Sequence, residues 1–135
     1  WLYGGTPEQI TATITHGRTG VMPGWESILG SEKVAAVTAY VQKLSGQSVD
    51  SRLAAAGKAI YDVNCFACHG ADGSGNTLLG APALKDDIWL YGGSEKKIHE
   101  SIANGRMGVM PPHGEFLGAA KIHLLSAYIY QFRSN

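Results

Sequence analysis

Two stretches of the chain carry the same apolar spacing. Val34, Val37, Tyr40, Val41 and Leu44 recur at helical intervals, and so do Ile122, Leu125, Tyr128, Ile129 and Phe132. Each stripe predicts an amphipathic helix whose apolar side faces a core. Each follows a shorter helix with clear ends. Thr6, Pro7 and Gln9 supply an N-cap, a proline in the first turn and a capping-box partner, and Ser94 caps the second copy. Gly17 and Gly105 supply the stops. A third helix, carrying Leu53, Gly57, Ile60, Tyr61 and Asn64, is expected to start at Asp50 or Ser51 and run to Cys65. The alternation that marks strands is missing, so the expected fold is all-α with long glycine-rich loops.

The resemblance between the stripes belongs to a longer repeat. Residues 1–23 (WLYGGTPEQITATITHGRTGVMP) and 89–111 (WLYGGSEKKIHESIANGRMGVMP) share 13 of 23 positions at an offset of 88 residues. The likeness continues through Gly30/Gly118, Lys33/Lys121, Tyr40/Tyr128 and Leu44/Phe132. Only the second copy is preceded by a cysteine-bearing segment. The organisation read from this is the C-terminal half of a first domain at 1–47, a small polar linker at 48–51, and a complete domain at 52–135. Opening on Trp1 inside a repeat, the chain reads as a fragment of a longer protein.

Composition adds mainly exclusions. Hydrophobic residues make up 44% and charged residues 16%, as in ordinary globular proteins. Eleven basic residues balance eleven acidic ones, so no field gathers nucleic acid or anionic lipid. No apolar run approaches the roughly 20 residues of a membrane-spanning helix.

The chemistry lies in Cys65-Phe66-Ala67-Cys68-His69, the C-x-x-C-H pattern of covalent haem c attachment. Two thiols three residues apart add across the two vinyl groups, and the adjacent imidazole becomes the proximal iron ligand. A dithiol switch would need a βαβ context, a zinc finger would need paired histidines at short spacing, and a disulfide here would close too small a loop to stabilise much. A sixth ligand suited to electron transfer is a methionine thioether. Met110 is expected in that role, because Pro111 stiffens its loop and because Met110 is retained as Met22 in the first copy, whereas Met107 becomes Thr19. Met107 reads as flexible filler. Met22 is expected to bind no iron. The rival possibility is that residues 1–47 compete with 89–133 to close the single haem pocket.

These residues resemble the class of small cytochromes c with an N-terminal C-x-x-C-H and a C-terminal methionine ligand. Gly57, Tyr61 and Cys65 match that family's first helix, and Leu125 and Tyr128 match its partner on the last. Gly80-Ala81-Pro82-Ala83-Leu84 echoes the loop in which the Pro82 carbonyl accepts a hydrogen bond from His69. The tandem WLYGG and GRxGVMP segments resemble more closely the dihaem subunit, subunit III, of cbb3-type cytochrome c oxidases. The resemblance implies one covalent haem c and a place for Trp89, Tyr91 and Arg106 around its propionates. It implies an electron-transfer subunit that is no enzyme by itself, with oxidase catalytic and other cytochrome subunits and an electron-donor cytochrome as partners. It also implies the periplasmic side of the bacterial inner membrane, with the parent protein anchored by a helix that these residues do not include. Service to another dehydrogenase or reductase, and a haem-based small-ligand enzyme or sensor, are the alternatives. His113, near the methionine loop, is expected at the surface, and Asp72-Gly73-Ser74-Gly75 is expected to be a turn.

Overall fold

In a computed structural model, which describes residues 1–132, the helices fall where the caps and stripes place them. Helix α1 spans Pro7–His16, α2 Glu26–Leu29, α3 Ser31–Leu44, α4 Ser51–Asn64, α5 Phe66–His69, α6 Glu95–Asn104 and α7 Gly114–Tyr130. The capping box at Thr6 forms reciprocally with Gln9, and Asp50 accepts from the backbone N–H groups of Arg52 and Leu53. Gly118 (φ 73°) breaks α7 one turn from its start, as Gly30 (φ 79°) separates α2 from α3.

The chain is mainly helical, as expected, with one addition. Strands β1 (Arg18–Met22) and β2 (Arg106–Met110) pair antiparallel, with Gly20 opposite Gly108 at the centre. These five-residue segments lack an apolar alternation, so periodicity gave no sign of them. They pair because each supplies the other with ladder partners.

The helices on either side of this ribbon are exchanged between the copies. The most extensive helix contact is that of α3 on α4, and α3 also packs on α6; α7 packs on α1. Val34, Val37, Tyr40 and Val41 of α3 form one core with Tyr61, Ile98 and Ile102. Ile122 of α7 joins Ile10 and Ile14 in a second. The interhelical bonds repeat the exchange at the offset of 88. Trp25 donates its N–H to the Ile102 carbonyl (2.9 Å), and His113 donates to that of Ile14 (3.0 Å). The linker at 48–51 therefore joins two helices that share the larger core.

This corrects the expected partner of α4. Leu125, Tyr128 and Phe132 were expected in a core and at the crossing with α4, but Tyr128 is 58% exposed and Phe132 62%. Their counterparts Val37 and Tyr40 hold the position instead. Gly57 is central to the crossing, because a Cβ there would overlap the backbone carbonyl of Ala36. Gly57→Ala gains about 1 kcal/mol of helix propensity. Overpacking against unyielding backbone costs about 1–3 kcal/mol. The expected result is net destabilisation, read as a lower urea midpoint at unchanged slope.

Candidate functional site

The cysteine segment is shaped from both sides. Helix α4 ends at Asn64, and α5 carries Phe66–His69 through a single turn, with the His69 N–H bonded to the Cys65 carbonyl (3.0 Å). Tyr61, with no exposed surface, donates its hydroxyl to the Gly70 carbonyl at 2.7 Å and so ties α4 to the end of that turn. Burial pushes its phenol well above the ordinary range, so the hydroxyl stays a donor. Tyr61→Phe leaves the buried carbonyl without this partner. It is expected to lower stability by about 1–2 kcal/mol while leaving covalent attachment intact, measured by denaturation and by haem stain on a denaturing gel.

His69 is 8% exposed, and its Nδ1 lies 3.0 Å from the Pro82 carbonyl, as the loop resemblance implied. Donation from a protonated Nδ1 leaves Nε2 as the unprotonated, metal-binding nitrogen. Burial lowers the pKa of this imidazole, outweighing the opposite pull of the Pro82 bond, and favours the neutral form that binds a metal. Cys65 is half-buried, and burial first and the neighbouring Cys68 second push its thiol up to about 11. Cys68 is exposed. The loop after the motif is the expected turn: Ser74 N–H donates to Asp72 Oδ1, and Lys85 pairs with Asp72 at 2.7 Å. Lys85 first, then Ser74, hold the Asp72 carboxyl well below the usual carboxylate range.

Cys65, Cys68, His69 and Pro82 open into a single cavity of ≈ 400 Å³. Trp89, Tyr91 and Arg106 line it, and so do both Met22 and Met110. Arg106 stacks over Tyr91 at 4.5 Å, donates Nε–H to Ser101 Oγ (2.9 Å) and pairs with Glu100 at 3.1 Å. Arg18 copies it, over Tyr3 at 5.1 Å and bonded to Thr13 Oγ1 at 2.9 Å. Sequence reasoning passed over Arg18 and Tyr3 as part of the cavity wall. The repeat offset that equates them with Arg106 and Tyr91 was the available signal.

Two further expectations need correction. Met107 is 75% exposed on the outer side of β2, because the ribbon alternates its side chains, so it fills no core. His113 is half-buried, its Nδ1 enclosed where α7 begins. Among the described residues no group of three or more histidine, cysteine or acidic side chains forms a metal cluster of the zinc type.

The donor set fits a haem c. Two unpaired thiols, an imidazole with one nitrogen free of the Pro82 bond, and two thioethers from the ribbon line the same cavity. The family described as Cytochrome C oxidase, cbb3-type, subunit III matches residues 52–129. The chain belongs to this family. Among its relatives, the Cbb3-type cytochrome c oxidase subunit CcoP of Cereibacter sphaeroides is 40% identical over 96% of this chain and 49% of its own length. Subunit FixP of Azorhizobium caulinodans is 42% identical over 96% of this chain and 47% of its own. Subunit CcoP of Rubrivivax gelatinosus is 42% identical over 96% and 43%. The chain spans about half the length of the curated relatives it matches. The subunit III match begins at Arg52, inside α4, and stops inside α7, so the C-x-x-C-H turn and the second methionine loop both lie within it.

Proposed function

We propose that this chain holds one covalent haem c on Cys65 and Cys68 and relays single electrons to the catalytic subunit of a cbb3-type cytochrome c oxidase. The observation that carries the reading is the C-x-x-C-H turn whose buried histidine is held by the Pro82 carbonyl and lines one cavity with both cysteines and two methionines. When bound, haem c supplies a one-electron iron couple.

The chain's own residues do the rest. Cys65 and Cys68 hold the group, and His69 provides the proximal nitrogen. A thioether from the β1–β2 ribbon, Met110 on the sequence reading, would complete the iron's ligands and favour the reduced state. Trp89, Tyr91 and Arg106, which line the cavity, would flank the propionates. The Pro82 carbonyl, 3.0 Å from His69 Nδ1, would hold the imidazole in one orientation and so keep reorganisation small. The chain performs no bond chemistry and is no enzyme by itself. Membership in the subunit III family supports partnership with other subunits of an oxidase complex; the reading adds an electron-donor cytochrome and the periplasmic side of the inner membrane. Among the described residues no helix is long and apolar enough to cross a membrane.

The test is electron delivery. The haem-loaded chain, reduced beforehand, is mixed with oxygen and the catalytic core of a related cbb3 oxidase. Re-oxidation at a rate proportional to added core is expected. Re-oxidation that ignores the core but follows an added reductase overturns the oxidase assignment in favour of another dihaem electron carrier.

A further inference from the structure

We propose that Arg18 latches the first repeat onto the loop that holds His69, and that through this latch the first repeat sets the electron affinity of the cysteine-bearing domain. The inference rests on the reading of His69 as a haem ligand. Arg18 acts through the loop and is a positioning residue.

The two equivalent arginines differ in what they hold. Arg106 stays within its own repeat, bonded to Ser101 and paired with Glu100. The residue equivalent to Glu100 at the offset of 88 is Ala12, so Arg18 has no carboxylate there. Among the described residues no ion pair reaches it elsewhere. Its Nη1 donates instead to the Thr77 carbonyl at 2.9 Å, 59 residues along the chain. Nη2 donates to the Tyr3 carbonyl at 3.1 Å, and Nε to Thr13 Oγ1 at 2.9 Å. All three nitrogens are engaged while the guanidinium lies over the Tyr3 ring, so the planar fork has one orientation.

The loop that receives this bond is closed on itself. Asn76 and Ala81 exchange both backbone bonds (2.8 and 3.0 Å), and Asn76 Oδ1 accepts from the N–H groups of Leu78 and Leu79. Its two legs sit on His69: Gly75 donates its N–H to the His69 carbonyl (2.7 Å), and the Pro82 carbonyl meets His69 Nδ1. A Cβ at Gly75 would crowd the backbone of Ala81, Pro82 and Ala83, so the legs lie against each other without slack. The tip has no apolar anchor, Leu78 being 95% exposed and Leu79 55%. It rests on β1, where a Cβ at Gly20 would stand 3.5 Å from the Gly80 carbonyl, and Arg18 of the same strand ties it down. Release at Thr77 therefore reaches Pro82 through the Asn76–Ala81 bridge. An imidazole that donates from Nδ1 is a more basic ligand at Nε2 and favours oxidised iron. Loosening the Pro82 carbonyl weakens that donation and raises the reduction potential.

The test compares the full haem-loaded chain with its Arg18→Lys form, which keeps the charge and loses the three-way fork. Two signals are read: the midpoint potential, and solvent exchange of the His69 Nδ1 proton, followed by nuclear magnetic resonance in the reduced, diamagnetic state. Arg18→Lys is expected to raise the potential and to speed that exchange about tenfold, the factor that one charge-assisted hydrogen bond supplies. Moving the cation into solvent would by itself favour oxidised iron and lower the potential, so the direction of the shift separates the latch from simple electrostatics. An unchanged or lowered potential, or an unchanged exchange rate, overturns the latch and leaves the haem reading standing. A parent chain without covalent haem overturns both. Where Arg18→Lys does not fold, Thr13→Val, which removes only the acceptor of Nε, decides instead: a smaller shift of both signals in the same directions supports the latch, and no shift in either overturns it.

Discussion

Replacing Tyr40 by alanine is expected to destabilise the chain by about 3–5 kcal/mol, whereas the same change at Tyr128 should cost within about 1 kcal/mol. The two tyrosines are equivalent in the repeat, and only their surroundings differ. Tyr40 is 8% exposed, and its ring meets that of Tyr61 edge-on at 5.1 Å. Its removal opens a cavity in the larger core and deprives Tyr61, which holds the end of the cysteine turn, of its neighbour. Tyr128, itself exposed, meets the exposed Phe132 in a similar edge contact. Urea denaturation of the two variants measures the difference directly. Reversal of the order, with Tyr128→Ala the costlier change, would mean that α7 and not α3 covers α4.

The second large effect is on attachment. Changing Cys65 and Cys68 together to alanine is expected to remove all haem that survives denaturation and acid extraction, while each single variant retains one thioether link. The two sulfurs differ in access, Cys68 being exposed and Cys65 half-buried with its thiol raised to about 11. The intact mass of the denatured chain reads the outcome: the mass of chain plus haem for the parent and for the singles, and that of chain alone for the double. Haem remaining on the double variant would place the attachment elsewhere. Because both side chains are small, the helical content of the apoprotein should change little, which far-UV circular dichroism checks.

Much of this molecule can be read from local signals. Thr6, Ser94 and Asp50 cap where their side chains can reach free N–H groups, and C-x-x-C-H names its own chemistry. The His69–Pro82 bond followed from a family likeness in a five-residue loop. The pairing of helices could not be read the same way. Apolar stripes on α3 and α7 carry the same spacing, so periodicity makes either an acceptable cover for Tyr61. The choice is made at Gly57, which lies against the Ala36 backbone of α3, whereas Leu124, the counterpart of Ala36 on α7, stands 70% exposed. That contact is long-range and has no periodic trace. The ribbon escaped for a related reason: Arg-Thr-Gly-Val-Met and Arg-Met-Gly-Val-Met have no strand pattern alone, and each is a strand only because the other is present. The exposed Leu125, Tyr128 and Phe132 are the counterpart of the same choice, since one stripe remains uncovered when the other takes the site.

The placement of charge fits an electron carrier better than a catalyst. Arg106 and Arg18 are each held by a tyrosine ring and a hydroxyl from their own repeat, and burial favours the neutral form of the His69 imidazole, which Pro82 orients. The most direct test of the central claim is the absorption spectrum of the reduced, haem-loaded chain before and after carbon monoxide is added. A coordinatively closed haem c, held by His69 and a thioether, predicts a low-spin spectrum that does not change. A prompt shift to the carbon monoxide form would contradict the account and favour an enzyme or sensor with an open iron.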